Sequence, residues 1–140
     1  MDNFVADGIF VDASPDRVFS ALLDPEEICV WMDADEASSE SKLGGKFFAR
    51  RTDGSTVKGT IEAHKPGDFL QIGQYYWESE GLQRGPMKLS CKLEPRHGGV
   101  WITIRVDDLD CASNWKQFAQ DTRKELVQST VTLKRHIEQI

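Results

Sequence analysis

Hydrophobic and polar positions follow three different spacings along the chain. Residues 4–11 alternate loosely and carry β-branched and aromatic side chains, the pattern of a first strand. Ser14, Pro15 and Asp16 then supply an N-cap, a proline at the first helical position and an acid in the first turn. Val18, Phe19, Leu22 and Leu23 recur behind them at helical spacing. Asp24-Pro25 repeats the start signal, with Glu27 placed for a capping box, so a second short helix is expected to run to about Trp31. Residues 33–42 are rich in Ser, Asp and Glu, lack any period and are expected to form an exposed loop.

Five strand-like runs follow, at residues 46–51, 56–64, 69–77, 86–94 and 100–106. Between them stand the turn dipeptides Asp53-Gly54, Pro66-Gly67, Glu80-Gly81 and Gly98-Gly99. Strands joined this tightly predict an antiparallel meander. Residues 112–140 contain neither Gly nor Pro. Trp115, Phe118, Ala119, Thr122, Leu126, Ser129, Leu133 and Ile137 fall there at spacings of three and four, one stripe of an amphipathic helix. Such a helix would extend about 40 Å at 1.5 Å per residue and cannot bury its stripe against itself, so the sheet must receive it. The expected fold class is α+β: a six-stranded antiparallel sheet curved around a long C-terminal helix, with two short helices after the first strand, in one domain over residues 1–140.

Composition narrows the function. A chain of 140 residues with 39% hydrophobic positions can bury roughly 68–70% of its unfolded surface, so no disulfide staple is required. Three cysteines, Cys29, Cys91 and Cys111, have no paired spacing, and the first residues lack a signal-peptide pattern. A soluble, cytoplasmic protein without membrane association is expected. The net charge of -6 and the absence of a basic block argue against nucleic acid as partner. Seven acids and no Lys or Arg lie between Asp24 and Glu40, which concentrates the acidity on the second short helix and the loop after it. An acidic rim there would disfavour anionic ligands.

Specific motifs carry a family likeness. Ser14-Pro15-Asp16-Arg17-Val18-Phe19 is followed by Ala21-Leu22, Asp24-Pro25-Glu26 and Trp31. Gly44-Gly45-Lys46-Phe47, Asp53-Gly54, Gly59-Thr60-Ile61-Glu62, Pro66, Leu70 and Gly98-Gly99 come next, and Trp115 opens the last helix. In this order and spacing they resemble the helix-grip fold of the SRPBCC superfamily, which includes START-type lipid carriers. Within it the chain is similar to the family named for the activator of the heat-shock protein 90 ATPase. The resemblance implies a cavity between sheet and C-terminal helix, closed by the two short helices, but no single activity. The chain departs from the family at Val30-Trp31-Met32, where two adjacent tryptophans are common, and at Gln74, where an aromatic is common.

No nucleophile and base, carboxylate pair or metal-ligand spacing is evident, and His64, His97 and His136 are expected to be solvated. No catalytic residue, metal or cofactor is therefore assigned. Strict alternation would put Val57, Gly59, Ile61 and Ala63 on one face with Leu70, Ile72, Gln74 and Tyr76, and with Met87, Leu89, Cys91 and Leu93. These residues either fill a core or line a cavity. Small residues at Gly59, Ala63, Thr122 and Ser129 would leave room, and Gln74 and Tyr76 would supply polar groups in an apolar wall. The candidate lining for a small hydrophobic or amphipathic ligand is thus Trp31, Met32, Phe47, Gly59, Ile61, Ile72, Gln74, Tyr76, Met87, Leu89, Thr122, Leu126 and Ser129. The same alternation would put Tyr75, Trp77 and Trp101 on the convex face, as a surface for self-association or for a chaperone. A binding protein, a co-chaperone-like module and a cyclase- or dehydratase-type enzyme on a hydrophobic substrate are the functions that this reading leaves open.

Overall fold

The computed structural model describes residues 3–111 and 114–139. Strand β1 (Val5–Val11) leads into helices α1 (Pro15–Leu23) and α2 (Pro25–Trp31). Both helices start as the sequence dictates: Ser14 Oγ accepts from Arg17 N, and Asp24 Oδ2 accepts from Glu27 N, each with a proline at the first position. Strands β2 (Ala34–Ser39), β3 (Lys46–Arg51), β4 (Thr56–Lys65), β5 (Phe69–Ser79), β6 (Leu82–Arg96) and β7 (Gly99–Asp107) form an antiparallel meander. A single helical turn at Leu109–Cys111 precedes α3 (Trp115–Glu138). The expected helical positions Ala112, Ser113 and Ile140 lie outside the described residues.

The sheet has seven strands in the order β1-β7-β6-β5-β4-β3-β2, one more than expected from sequence. The additional strand, β2, occupies part of the segment assigned to a loop. It is an edge strand that owes its order to pairing with β3 rather than to an apolar face: Ala34 alone is buried, and Asp35 and Glu36 both reach Arg50 across the pair at 3.0 Å. Across the sheet, β1 pairs with β7, so the first strand closes against the last. Helix α3 lies along β1, where Thr130 Oγ1 donates to Asp7 Oδ2 at 2.7 Å and Lys134 Nζ to Phe10 O at 2.7 Å. The core between the layers holds Leu22, Ile28, Phe47, Ile61, Ile72, Leu93, Ile102 and Leu133, all fully buried.

Of five register shifts in the sheet, two change the faces expected from strict alternation. On β5, Ile72 pairs with Leu89 and Tyr75 with Met87, so Gly73 and Gln74 together oppose Lys88. This is a β-bulge, with Gln74 at φ 46°, and it exchanges the faces of every residue after it. Tyr75 and Trp77 therefore turn inward, and Gln74 and Tyr76 turn outward. On β4, the register shifts between Ile61 and Ala63, so Ala63 pairs with Gln71 while His64 rotates inward and meets Phe19 edge-on at 5.3 Å.

Gly59 does not leave the room that its size suggests. A Cβ placed there would lie 2.5 Å from Ile72 Cγ2 and 3.0 Å from the carbonyl oxygen of Gly73. The space is already taken by the bulged strand, and backbone cannot move aside cheaply. Gly59→Ala is expected to cost about 1–3 kcal/mol through overpacking, read as a lower midpoint in urea. An unchanged midpoint would mean that the bulge relaxes freely.

Candidate functional site

A cavity of about 70 Å³ lies between the inner face of the sheet and α3. Its walls come from the end of α2 (Trp31, Met32), from β3 and β4 (Arg51, Val57), from β5 (Tyr75, Trp77), from β6 and β7 (Met87, Leu89, Val106), and from α3 (Phe118, Thr122, Glu125, Leu126, Ser129). Of the residues expected to line it, Trp31, Met32, Met87, Leu89, Thr122, Leu126 and Ser129 do so. Phe47, Ile61 and Ile72 face inward but are packed as core beside it. Gln74 and Tyr76 sit across the sheet with Lys46, Phe48, Lys58 and Thr60 around an outer hollow, and Gly59 contributes to that hollow rather than to the cavity.

The aromatics expected on the convex face are divided by the same bulge. Tyr75 is 7% exposed and Trp77 packs on Phe118, ring centroids 5.8 Å apart, so both belong to the cavity wall. Only Trp101 stays on the outer face, where its indole covers Gly8.

Polar groups converge at one end of the cavity. Arg51 ties three elements together: Nε donates to Met32 O at the end of α2 at 3.0 Å, and Nη1 donates to Glu125 Oε2 on α3 at 2.8 Å. Burial alone would lower the Arg51 pKa, and the charge and hydrogen bond of Glu125 hold it above its ordinary value instead. Burial pushes the Tyr75 hydroxyl well up, with the Arg51 charge opposing, so that phenol is a neutral donor at physiological pH. Trp31 Nε1 is buried without an acceptor. The wall is thus apolar with few polar groups, the composition of small-molecule sites.

A second hollow of about 170 Å³ shares Trp77, Phe118, Thr122 and Glu125 with the cavity and adds Arg84, Asn114, Gln117 and Asp121. Sequence reasoning missed Arg51, Glu125 and Arg84. A charged residue in a strand run carries no signal that it will be folded inward, and Glu125, with its side chain 49% exposed, joins the site only through its bond to Arg51.

The acids between Asp24 and Glu40 are held in place by hydrogen bonds but keep most of their negative charge, since Asp35 and Glu36 share one cation and the donors to Asp24, Asp33 and Glu40 are neutral. Asp24 caps α2, Asp33 accepts from Thr52 Oγ1, Asp35 and Glu36 flank Arg50, and Glu40 accepts from Lys46 N. Glu27 Oε1 is shared by Arg17 at 2.6 Å and His136 at 2.8 Å, so His136 is a tertiary contact rather than a solvated side chain. His64 likewise has partners, with Nε2 3.0 Å from Ser41 Oγ. The three cysteines are free thiols, and burial pushes Cys91 up to about 12, which makes it inert. Among the described residues there is no group of His, Cys, Asp and Glu that could hold a metal, and no helix long and apolar enough to cross a membrane.

Comparison with solved structures shows the fold to be shared. A protein from Mesorhizobium loti matches with a TM-score of 0.80 at 15% identity, over 97% of both chains. The Aha1 dimer from Colwellia psychrerythraea matches with a TM-score of 0.76 at 14% identity, over 96% of both chains. DynU16, a protein of the dynemicin biosynthetic locus, matches with a TM-score of 0.77 at 18% identity, over 99% of this chain and 48% of its own. No curated protein matches the sequence. The sequence profile of Activator of Hsp90 ATPase homolog 1-like proteins covers residues 12–137, from the end of β1 through nearly all of α3. Since that span takes in both short helices, the meander and the helix that closes the cavity, the chain belongs to the family of Activator of Hsp90 ATPase homolog 1-like proteins.

Proposed function

We propose that this protein binds a small amphipathic molecule in the cavity between the sheet and α3. The observation that carries the reading is the cavity wall itself. Aromatic and methionine side chains from the sheet, from α2 and from α3 meet there, and a neutral phenol and the Arg51–Glu125 pair stand at one end. Methionines at positions 32 and 87 suit ligands of varied outline. The cavity volume sets the scale. At about 70 Å³ it is far below the roughly 300–1,000 Å³ of pockets that take drug-sized ligands. Compounds of one ring or two fused rings fit that scale better than fatty acids or polyketides.

Trp31 and Trp77 line the cavity, so tryptophan fluorescence is a direct readout of occupancy. Titration with phenol, indole, phenylacetamide and their ring-substituted relatives is expected to give saturable changes in emission for at least one compound, together with a rise in melting temperature. A flat response to all of them, with no change in melting temperature, would remove the binding reading. The co-chaperone alternative loses support from the inward rotation of Tyr75 and Trp77, which leaves Trp101 alone of the three aromatics that motivated it.

A further inference from the structure

Arg84 is a buried cation whose only hydrogen-bond partner among the described residues is a neutral amide. It stands on β6 opposite Trp77 and is 8% exposed. Its guanidinium carbon lies 4.6 Å from the centroid of the Phe118 ring and 6.0 Å from that of Trp77. Nη1 donates to Asn114 Oδ1 at 2.8 Å, and Nε is buried without an acceptor. No carboxylate among the described residues is bonded to it. Stacking on aromatic rings compensates a buried charge only in part, and a buried charged group ordinarily has an ionic partner.

The acids that share the hollow are engaged elsewhere. Asp121 Oδ1 accepts from Gln117 Nε2 at 3.2 Å, and Glu125 bonds Arg51. Among the described residues, Arg84 is the one cation lining this 170 Å³ hollow, which shares four wall residues with the cavity. With Nη1 held by Asn114, the edge left over is Nε with Nη2. That edge is a fork matching the two oxygens of a carboxylate.

We infer that Arg84 is the receptor for a carboxylate, and that the ligand of this protein is a small aromatic carboxylic acid. Its ring enters the cavity and its carboxylate accepts from Arg84 in the adjoining hollow. The inference rests on the binding function proposed above and names the ligand class for it. Arg50 offsets only one of the two charges of Asp35 and Glu36, but none of the acids between Asp24 and Glu40 lines the Arg84 hollow.

The test compares phenylacetate with phenylacetamide, and indole-3-acetate with indole-3-acetamide, by calorimetry and tryptophan fluorescence. The wild type is expected to bind each acid about tenfold or more tightly than its amide, as a charge-assisted pair provides. Arg84→Gln is expected to erase the difference between acid and amide, and Arg84→Lys to keep part of it, because lysine offers charge without the fork. Added salt should weaken the acids and leave the amides unchanged. Equal affinity for acid and amide in the wild type, or a preference that survives Arg84→Gln, would overturn the inference while the cavity reading stands. Binding of neither acid nor amide would take down both. Should Arg84→Gln fail to fold, the wild-type comparison and its salt dependence decide the matter.

Discussion

Trp31→Ala is expected to lower the unfolding free energy by about 3–5 kcal/mol, while Trp31→Phe leaves it within about 1 kcal/mol of the wild type. Trp31 closes α2 against the sheet and is buried, but it is also a wall of the cavity. Truncation to alanine removes the largest apolar side chain at this junction, and the void it leaves merges with space already present, so the neighbours have little to collapse onto. Phenylalanine retains most of the buried area. What it loses in contact is offset by removal of an indole N–H that has no acceptor, a group whose burial costs about 1–3 kcal/mol when unpaired. Urea denaturation of the two variants measures the contrast directly. If phenylalanine costs as much as alanine, the N–H has a partner in solution, and an orphan donor cannot be part of the account of this wall.

Sequence patterning located most elements of the fold because most of them are held by what patterning detects. The proline-led starts of α1 and α2 and the apolar stripe of α3 are local signals. So is the Glu80-Gly81 turn, where φ of 50° and 80° matches the hairpin type that demands positive φ at both central residues. Strand β2 escaped because its order comes from a neighbour: Asp35 and Glu36 read as loop until Arg50 is placed beside them. The cavity was half legible. Helical spacing put Thr122, Leu126 and Ser129 on the side of α3 that faces the cavity, but the expected lining left out Phe118 and Glu125, which also border it. Strand alternation identified Met87 and Leu89 but failed on β5, where one added residue at Gly73-Gln74 exchanged Tyr75 and Trp77 for Gln74 and Tyr76. A bulge is a register event between two strands, and a single strand's sequence gives no count of its partner's residues. Charged side chains were the other blind spot. Arg51 and Arg84 are drawn inward by Met32 O, Glu125, Asn114 and the faces of Trp77 and Phe118, all but Trp77 distant in sequence.

Glu27→Ala is expected to cost about 2–4 kcal/mol at pH 7, with a pH dependence that identifies the cause. One carboxylate oxygen gathers Arg17 from α1 and His136 from α3, so α2 is tied to both of its helical neighbours through a side chain only 15% exposed. Burial pushes the Glu27 carboxyl up, and the hydrogen bonds from Arg17 and His136 outweigh it, leaving the pKa below the ordinary glutamate value. A carboxylate with a depressed folded pKa stabilises above its unfolded pKa of about 4.3, and that contribution is lost as the pH falls through the folded value. The wild type should therefore exceed Glu27→Gln by a wide margin at pH 7 and by much less near pH 3. Arg17 is 42% exposed on its side chain, so screening discounts its share of the difference. Chemical denaturation at the two pH values gives the result, and a gap of equal size at both would show that the shared carboxylate is not the source. Glu27 lies one helical turn before Trp31 on α2, so the network that holds this helix also holds the cavity wall. Ligand affinity should therefore fall along with stability in Glu27→Ala, even though Glu27 touches no part of the cavity.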